Sequence, residues 1–174
     1  MKKLIIVLMT VLATTACTKK THLHSFCGFV FGSYSSQPDS RVLVIPGIPV
    51  VETQPLPKPF MRFKNARLSY GARTKRLFSI GLYGEYPEDT TLSTVKNDAS
   101  RLMDTLKKKY GLRFLRDESE ANKYVLSYST DPFSDTLIYI HIAKCETRFF
   151  LGVDAFDGPL LRDERERDDV YDSL

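Results

Sequence analysis

One run of residues constrains the fold more than any other. Leu92, Val95, Ala99, Leu102, Met103, Leu106 and Tyr110 recur at helical spacing, which places them on one stripe of an α-helix. Both ends carry stop signals. Asp89 or Thr90 can cap the amino end by accepting a hydrogen bond from an unpaired backbone N–H. Gly111 stands where a left-handed C-cap is needed, Leu112 can fold back on the last turn, and Lys107, Lys108 and Lys109 complement the helix dipole. A helix with one apolar stripe must bury it against something else. Around it the period changes to two: Phe78, Ile80 and Leu82 alternate with Ser79 and Gly81, and Ile138, Ile140 and Ile142 alternate with Leu137, Tyr139 and His141. Leu112 to Leu115, Lys123 to Ser129 and Arg148 to Phe156 also read as strands, with a turn over Asp131 to Asp135. Short links favour antiparallel neighbours, so the expected class is α+β. We expect a small, mainly antiparallel sheet in the order β-α-β-β-β, with one long amphipathic helix packed on one face.

The amino terminus is organised differently. Lys2 and Lys3 precede an apolar run from Leu4 to Ala13, then small residues Thr14, Thr15 and Ala16, and then Cys17. That order is a secretory signal, too short to cross a bilayer, which takes roughly 20 apolar residues. With Cys17 directly after the small residues, the segment resembles the signal of bacterial lipoproteins, in which the cysteine is acylated and the chain is cut just before it. Thr14 stands where leucine is commoner, and Thr14 with Ala16 also suits ordinary signal-peptidase cleavage. The resemblance implies a signal peptide over 1–16, a lipid on Cys17 and a membrane as partner. Thr18 rather than aspartate follows, which by the sorting rule of many such proteins implies the outer rather than the inner membrane.

The mature chain has room for one core of ordinary size. The 43% hydrophobic and 26% charged content of the full 174-residue chain excludes a disordered polymer. The net charge of +4 includes Lys2 and Lys3, so the mature chain is only slightly basic and nothing in it calls for nucleic acid. Acylation of Cys17 would leave Cys27 and Cys145 as a pair in an oxidising compartment, and a disulfide between them is expected. From 17 to 59 the chain reads as anchor and tether, because Pro38, Pro46, Pro49, Pro55, Pro57 and Pro59 give a semi-rigid spacer unable to enter a central strand. The globular domain is expected over 60–161. The stretch 162–174, dense in Asp, Glu and Arg, reads as a flexible charged tail, or as an acidic segment folding back on the basic one.

That basic stretch holds Arg62, Lys64, Arg67, Arg73, Lys75 and Arg76 without an acid, a candidate contact for an anionic glycolipid, a glycan or an envelope protein. Catalytic signatures are absent: no phosphate-binding glycine loop, nucleophile elbow or His-Glu-x-x-His appears. His22, His24 and Cys27 have ligand chemistry but no fourth partner, so no metal or cofactor is expected. His141 lies about four strand residues from Cys145, too far for a nucleophile pair. The sequence therefore points to a lipid-anchored envelope protein acting as a binding or assembly module. The alternatives are a small hydrolase using Asp131, Asp135, Asp154 and Asp157, and a surface-exposed interaction factor.

Overall fold

A computed structural model describes residues 22–35, 49–117, 124–132 and 134–169. Cys17 and the leader lie outside the described residues. The elements run β1 (Ser25–Phe26), β2 (Phe29–Val30), β3 (Val50–Phe60), β4 (Phe63–Tyr70), β5 (Leu77–Glu85), α1 (Leu92–Tyr110), β6 (Leu115–Arg116), β7 (Leu126–Ser129), β8 (Thr136–Cys145), β9 (Arg148–Asp157) and α2 (Gly158–Asp169). β1 and β2 form a hairpin of their own, and the rest build a seven-stranded sheet in the order β3-β4-β5-β9-β8-β7-β6. Every pairing is antiparallel.

The class is α+β, as the periodicities imply, but the order differs from β-α-β-β-β. Two further strands, β3 and β4, precede β5, and a second helix follows β9. The four strands after α1 do not extend away from β5. Instead α1 carries the chain to the far edge, and β6 to β9 meander back until β9 pairs with β5.

α1 buries Val95, Ala99, Leu102 and Leu106 against the sheet. Its caps are local chemistry: Thr91 accepts from the Thr94 backbone N–H, and Gly111 takes the left-handed conformation, its N–H donating to the Lys107 carbonyl. Under the helix the strands present rows of matched apolar residues. Ile140, Val153, Leu82 and Ala66 stand in line across four strands, and beside them Ile138, Ala155, Ile80 and Leu68. All eight are essentially inaccessible to solvent.

The domain begins far before Phe60. Leu23 N–H donates to Thr136 Oγ1 (2.8 Å), and Phe26, fully buried, sets its ring 5.8 Å from that of Tyr110. Cys27 and Gly28, both at positive φ, make the two-residue turn of the β1-β2 hairpin. Tyr34 bridges to Arg76, and Val50 pairs with Tyr70. Residues 36–48, with Pro38 and Pro46, lie outside the described residues, but the chain on both sides of them belongs to the domain, so the expected tether over 17–59 does not hold beyond residue 21. Pro55, Pro57 and Pro59 belong to β3, which is an edge strand. A period of two sends their missing donors to one side, and an edge tolerates that loss where a central strand does not.

Two further expectations are corrected. The charged stretch is helical through Asp169: Asp157 Oδ1 accepts from Leu160 N–H at the start of α2, and Glu164 accepts from Thr74 N–H (3.2 Å). The acidic segment thus folds back onto the basic β4-β5 turn. The disulfide is not formed, and Cys27 and Cys145 are free thiols. Cys27 N–H reaches the Tyr110 hydroxyl (3.4 Å) at the carboxyl end of α1. Cys145 pairs with Arg148, whose side chain bonds Glu85 and Glu88 close to the amino end of α1. The length of α1, 19 residues or about 28 Å, lies between those ends, and a disulfide needs Cα atoms within about 7 Å.

Denatured, unreduced Cys17→Ser chain is therefore expected to release two equivalents of thionitrobenzoate in a thiol titration. A value near zero would restore the bridge.

Candidate functional site

Two regions gather chemistry, one on each side of the fold. On the sheet face away from the buried rows, the register aligns Tyr139, Asp154, Gly81 and Arg67, and beside them His141, Gly152 and Tyr83. The two glycines are what allow the arrangement. A Cβ on Gly152 would lie 2.1 Å from His141 Nε2, and one on Gly81 would lie 2.8 Å from Asp154 Oδ1 and 2.9 Å from the Tyr83 ring. Side chains from the same strand (Tyr83) and from neighbouring strands (Asp154, His141) occupy the space the glycines leave.

Within this cluster Tyr83 Oη donates to Asp154 Oδ1 at 2.6 Å. Burial, then the bond and the charge of Asp154, push the phenol far above the ordinary tyrosine range, with Arg67 opposing. His141, buried, stacks against Tyr124 with centroids 4.3 Å apart and stands 3.6 Å from Asp154 through Nδ1. Ser127 is paired with His141 across β7 and β8, whereas Ser79 stands too far from it to complete a triad. Ser79 lies opposite Phe156, four residues along β9 from Gly152, the residue opposite His141, which is about 13 Å. The arrangement is a tied polar and aromatic surface.

The second region is a cleft of about 580 Å³ between β3, the β1-β2 turn and the last turns of α1. Leu56, Pro57, Pro59, Phe60, Leu106 and Tyr110 make most of its wall, with Cys27 and Gly28 at one end and Lys58, Thr105 and Lys109 also contributing. Its size falls in the range of small-molecule sites, roughly 300–1,000 Å³. Gly28 is seated so closely on Pro57 that a Cβ would approach Pro57 Cγ to 2.9 Å, which closes that end. Burial pushes the Cys27 thiol up to about 11, with Lys109 opposing, so it is neutral at physiological pH. A half-buried, mostly protonated thiol reacts slowly and serves as wall material rather than as a catalytic nucleophile.

The residues singled out from sequence are dispersed. Arg62 lies in the β3-β4 turn, 4.3 Å over the Tyr86 ring and 3.9 Å from Asp98. Arg73, Lys75 and Arg76 lie in the β4-β5 turn, at the other end of an eight-residue strand, about 26 Å away. Lys64 is exposed on β4, and only Arg67 joins the sheet-face cluster. The six cations therefore do not form one patch, because the β4 hairpins send them to opposite ends. The acids also part: Asp154 holds Tyr83, while Asp157 pairs with His22 (3.0 Å) and caps α2. Among the described residues no group of three or more His, Cys, Asp or Glu is placed to hold a metal ion.

Sequence reasoning missed the cleft because its β3 wall looked like tether. It also passed over Glu52, a buried acid on β3 that accepts from Ser35 Oγ and Gln54 Nε2. Glycines inside otherwise regular strands, Gly81 and Gly152, are the signal that marks the sheet-face cluster. No family model, curated protein or solved structure matches the chain.

Gly152→Ala is expected to expel the His141 ring and to cost about 1–3 kcal/mol of stability, read by urea denaturation together with the imidazole resonances. An unshifted imidazole would refute the packing. Alkali tests the tyrosines. Tyr70 is pushed up to about 12 by burial and then by Glu52, and Tyr83 and Tyr86 are raised further. The folded chain thus keeps protons that the unfolded chain loses near pH 10, so stability is whole below that pH and falls above it. The urea midpoint is expected to drop between pH 9 and pH 11.5, and in Asp154→Asn one tyrosine is expected to titrate earlier by ultraviolet difference absorbance.

Proposed function

We propose that this chain is an exported, lipid-anchored protein of the cell envelope, bound to the outer membrane through an acylated Cys17, whose domain works by binding. The cleft between β3 and α1 carries the binding part of the reading: an apolar concavity of ligand size, with lysines beside it and no acid in its wall. The anchor rests on the leader from Lys2 to Cys17. The fold sets what such an anchor would do. His22 and Leu23 are already tied to Asp157 and Thr136, so only Thr18 to Thr21 separate Cys17 from the domain. Five Cα steps reach at most about 18 Å. An acylated Cys17 would hold the domain against the bilayer surface rather than away from it. Among the described residues no helix is long and apolar enough to cross a membrane.

In the envelope, such a domain would take its ligand from lipids, glycolipids or the apolar segment of a partner protein. The two halves of the proposal are tested separately. Cys17→Ser is expected to abolish palmitate labelling and to move the chain from the membrane to the soluble fraction; unchanged partition would overturn the anchor. A naphthalene dye that brightens in apolar surroundings is expected to bind the Cys17→Ser chain saturably at one site. Thr105→Trp, which fills the cleft from the exposed side of α1, is expected to weaken the dye at least tenfold. Undiminished dye binding would place it elsewhere.

A further inference from the structure

We infer that the cleft is a site for a single-chain amphiphile with an anionic head, of the fatty-acid type. This rests on the reading of the cleft as the binding site and adds the chemical class of its occupant. The walls set the tail. Leu56 and Leu106 are buried at the base, while Pro57, Pro59, Phe60 and Tyr110 flank them, surfaces that offer dispersion contacts and few hydrogen bonds. At about 30 Å³ for a group the size of a water molecule, 580 Å³ accommodates roughly a dozen or more heavy atoms in a chain. That suits one acyl chain and is too little for the two chains of a phospholipid.

The charges set the head. Lys58 and Lys109 are both exposed at the cleft, and its lining contains no Asp or Glu. Lys109 holds its Nζ 4.9 Å over the Tyr110 ring, at the boundary between the apolar wall and solvent. The last carbonyls of α1 bear partial negative charge, but Gly111 N–H occupies the Lys107 carbonyl and Lys107, Lys108 and Lys109 surround that end. An anion is favoured beside the lysine side chains, with its tail directed toward Leu56 and Leu106. The Cys27 thiol, half-buried in the cleft wall, becomes the reporter, since an amphiphile in the cleft covers it.

The experiment uses the chain carrying Cys17→Ser and Cys145→Ser, in which Cys27 is the one remaining thiol. Its rate of reaction with monobromobimane is followed as dodecanoate is added below its micelle concentration. Dodecanoate is expected to slow the reaction at least tenfold at saturation, and each added methylene between octanoate and dodecanoate to tighten binding about three- to fourfold. Dodecyltrimethylammonium is expected to bind at least tenfold more weakly than dodecanoate, and Lys58→Glu with Lys109→Glu to reverse that order. Thr105→Trp is expected to abolish protection by dodecanoate. Equal protection by the anionic and cationic amphiphiles would overturn the anionic head and leave the cleft as an apolar site. Protection by phosphatidylglycerol vesicles but not by free dodecanoate would overturn it in favour of bilayer contact. No protection by any of these, with the thiol reactive throughout, would overturn both the class of ligand and the cleft as the binding site.

Discussion

The pairing of β9 with β5 is the constraint on which the rest of the fold depends. It runs over seven residue pairs, from Ser79 with Phe156 to Glu85 with Phe150, and joins parts of the chain some seventy residues apart. Without it the molecule would be two separate pieces, the β3-β4-β5 meander and the β6-β9 meander, each with an apolar face and nothing to close it. α1 has its place because of this seam: it leaves the end of β5, crosses the sheet on the buried side and lies on β8 and β9. A contact of such sequence separation is entropically costly to form, since the loop must close before any apolar area is gained. The continuous rows through Ile140 and Ile138 offset that cost, because each adds a fully buried residue from all four of the central strands.

The same register that makes one face an apolar core makes the other a polar and aromatic surface. Alternation along β8 and β9 is strict, so fixing Ile138, Ile140 and Ile142 inward sends Leu137, Tyr139 and His141 outward. What the outward face then becomes depends on side-chain size. Glycine at 81 and 152 leaves two gaps in the layer: Tyr83 lies down along its own strand over Gly81, and His141 reaches across from β8 over Gly152. The Tyr83-Asp154 bond follows from that posture, and with it the upward shift of the phenol. Two absent side chains, rather than any charged group, decide the geometry of this surface.

Local chemistry was legible in the sequence and partnership was not. The limits of α1 could be read from Leu92 to Gly111 because helix spacing and a left-handed C-cap act within a few residues, although the N-cap is Thr91 and not the expected Asp89 or Thr90. The strands β5 and β8 could be read from alternation for the same reason, and β9 from its apolar run. Nothing local in Arg148 to Phe156 says that it will enter between β5 and β8, so the strand order escaped. β3 escaped because proline density argues for a spacer, and the argument fails only at an edge, which is a property of the assembled sheet. α2 was hidden by its charge, since it is held by its Asp157 cap and by Glu164 at Thr74 rather than by a broad apolar stripe. The even number of cysteines left after Cys17 was a sound reason to expect a bridge. Parity carries no distance, however, and the length of α1 lies between Cys27 and Cys145.

The reassignment of β1, β2 and β3 to the domain alters what an acylated Cys17 would do. A tether of some forty residues would let the domain sample a volume above the membrane, with no face preferred. A link of four residues removes that freedom and presents the amino-terminal side of the fold to the lipid. The β1-β2 turn, which forms one end of the cleft, begins ten residues after Cys17. With Cys17 acylated, the short link would keep the cleft close to the headgroup layer, where a single-chain amphiphile leaving the bilayer would have the least water to cross. It also gives Lys58 and Lys109 a second effect. Within a Debye length of an anionic surface, about 8–10 Å in physiological salt, each would draw the domain inward as well as draw an anionic head to the cleft. Membrane charge and ligand charge would then compete for the same lysines, so that a strongly anionic surface weakens capture of the ligand by an anchored domain.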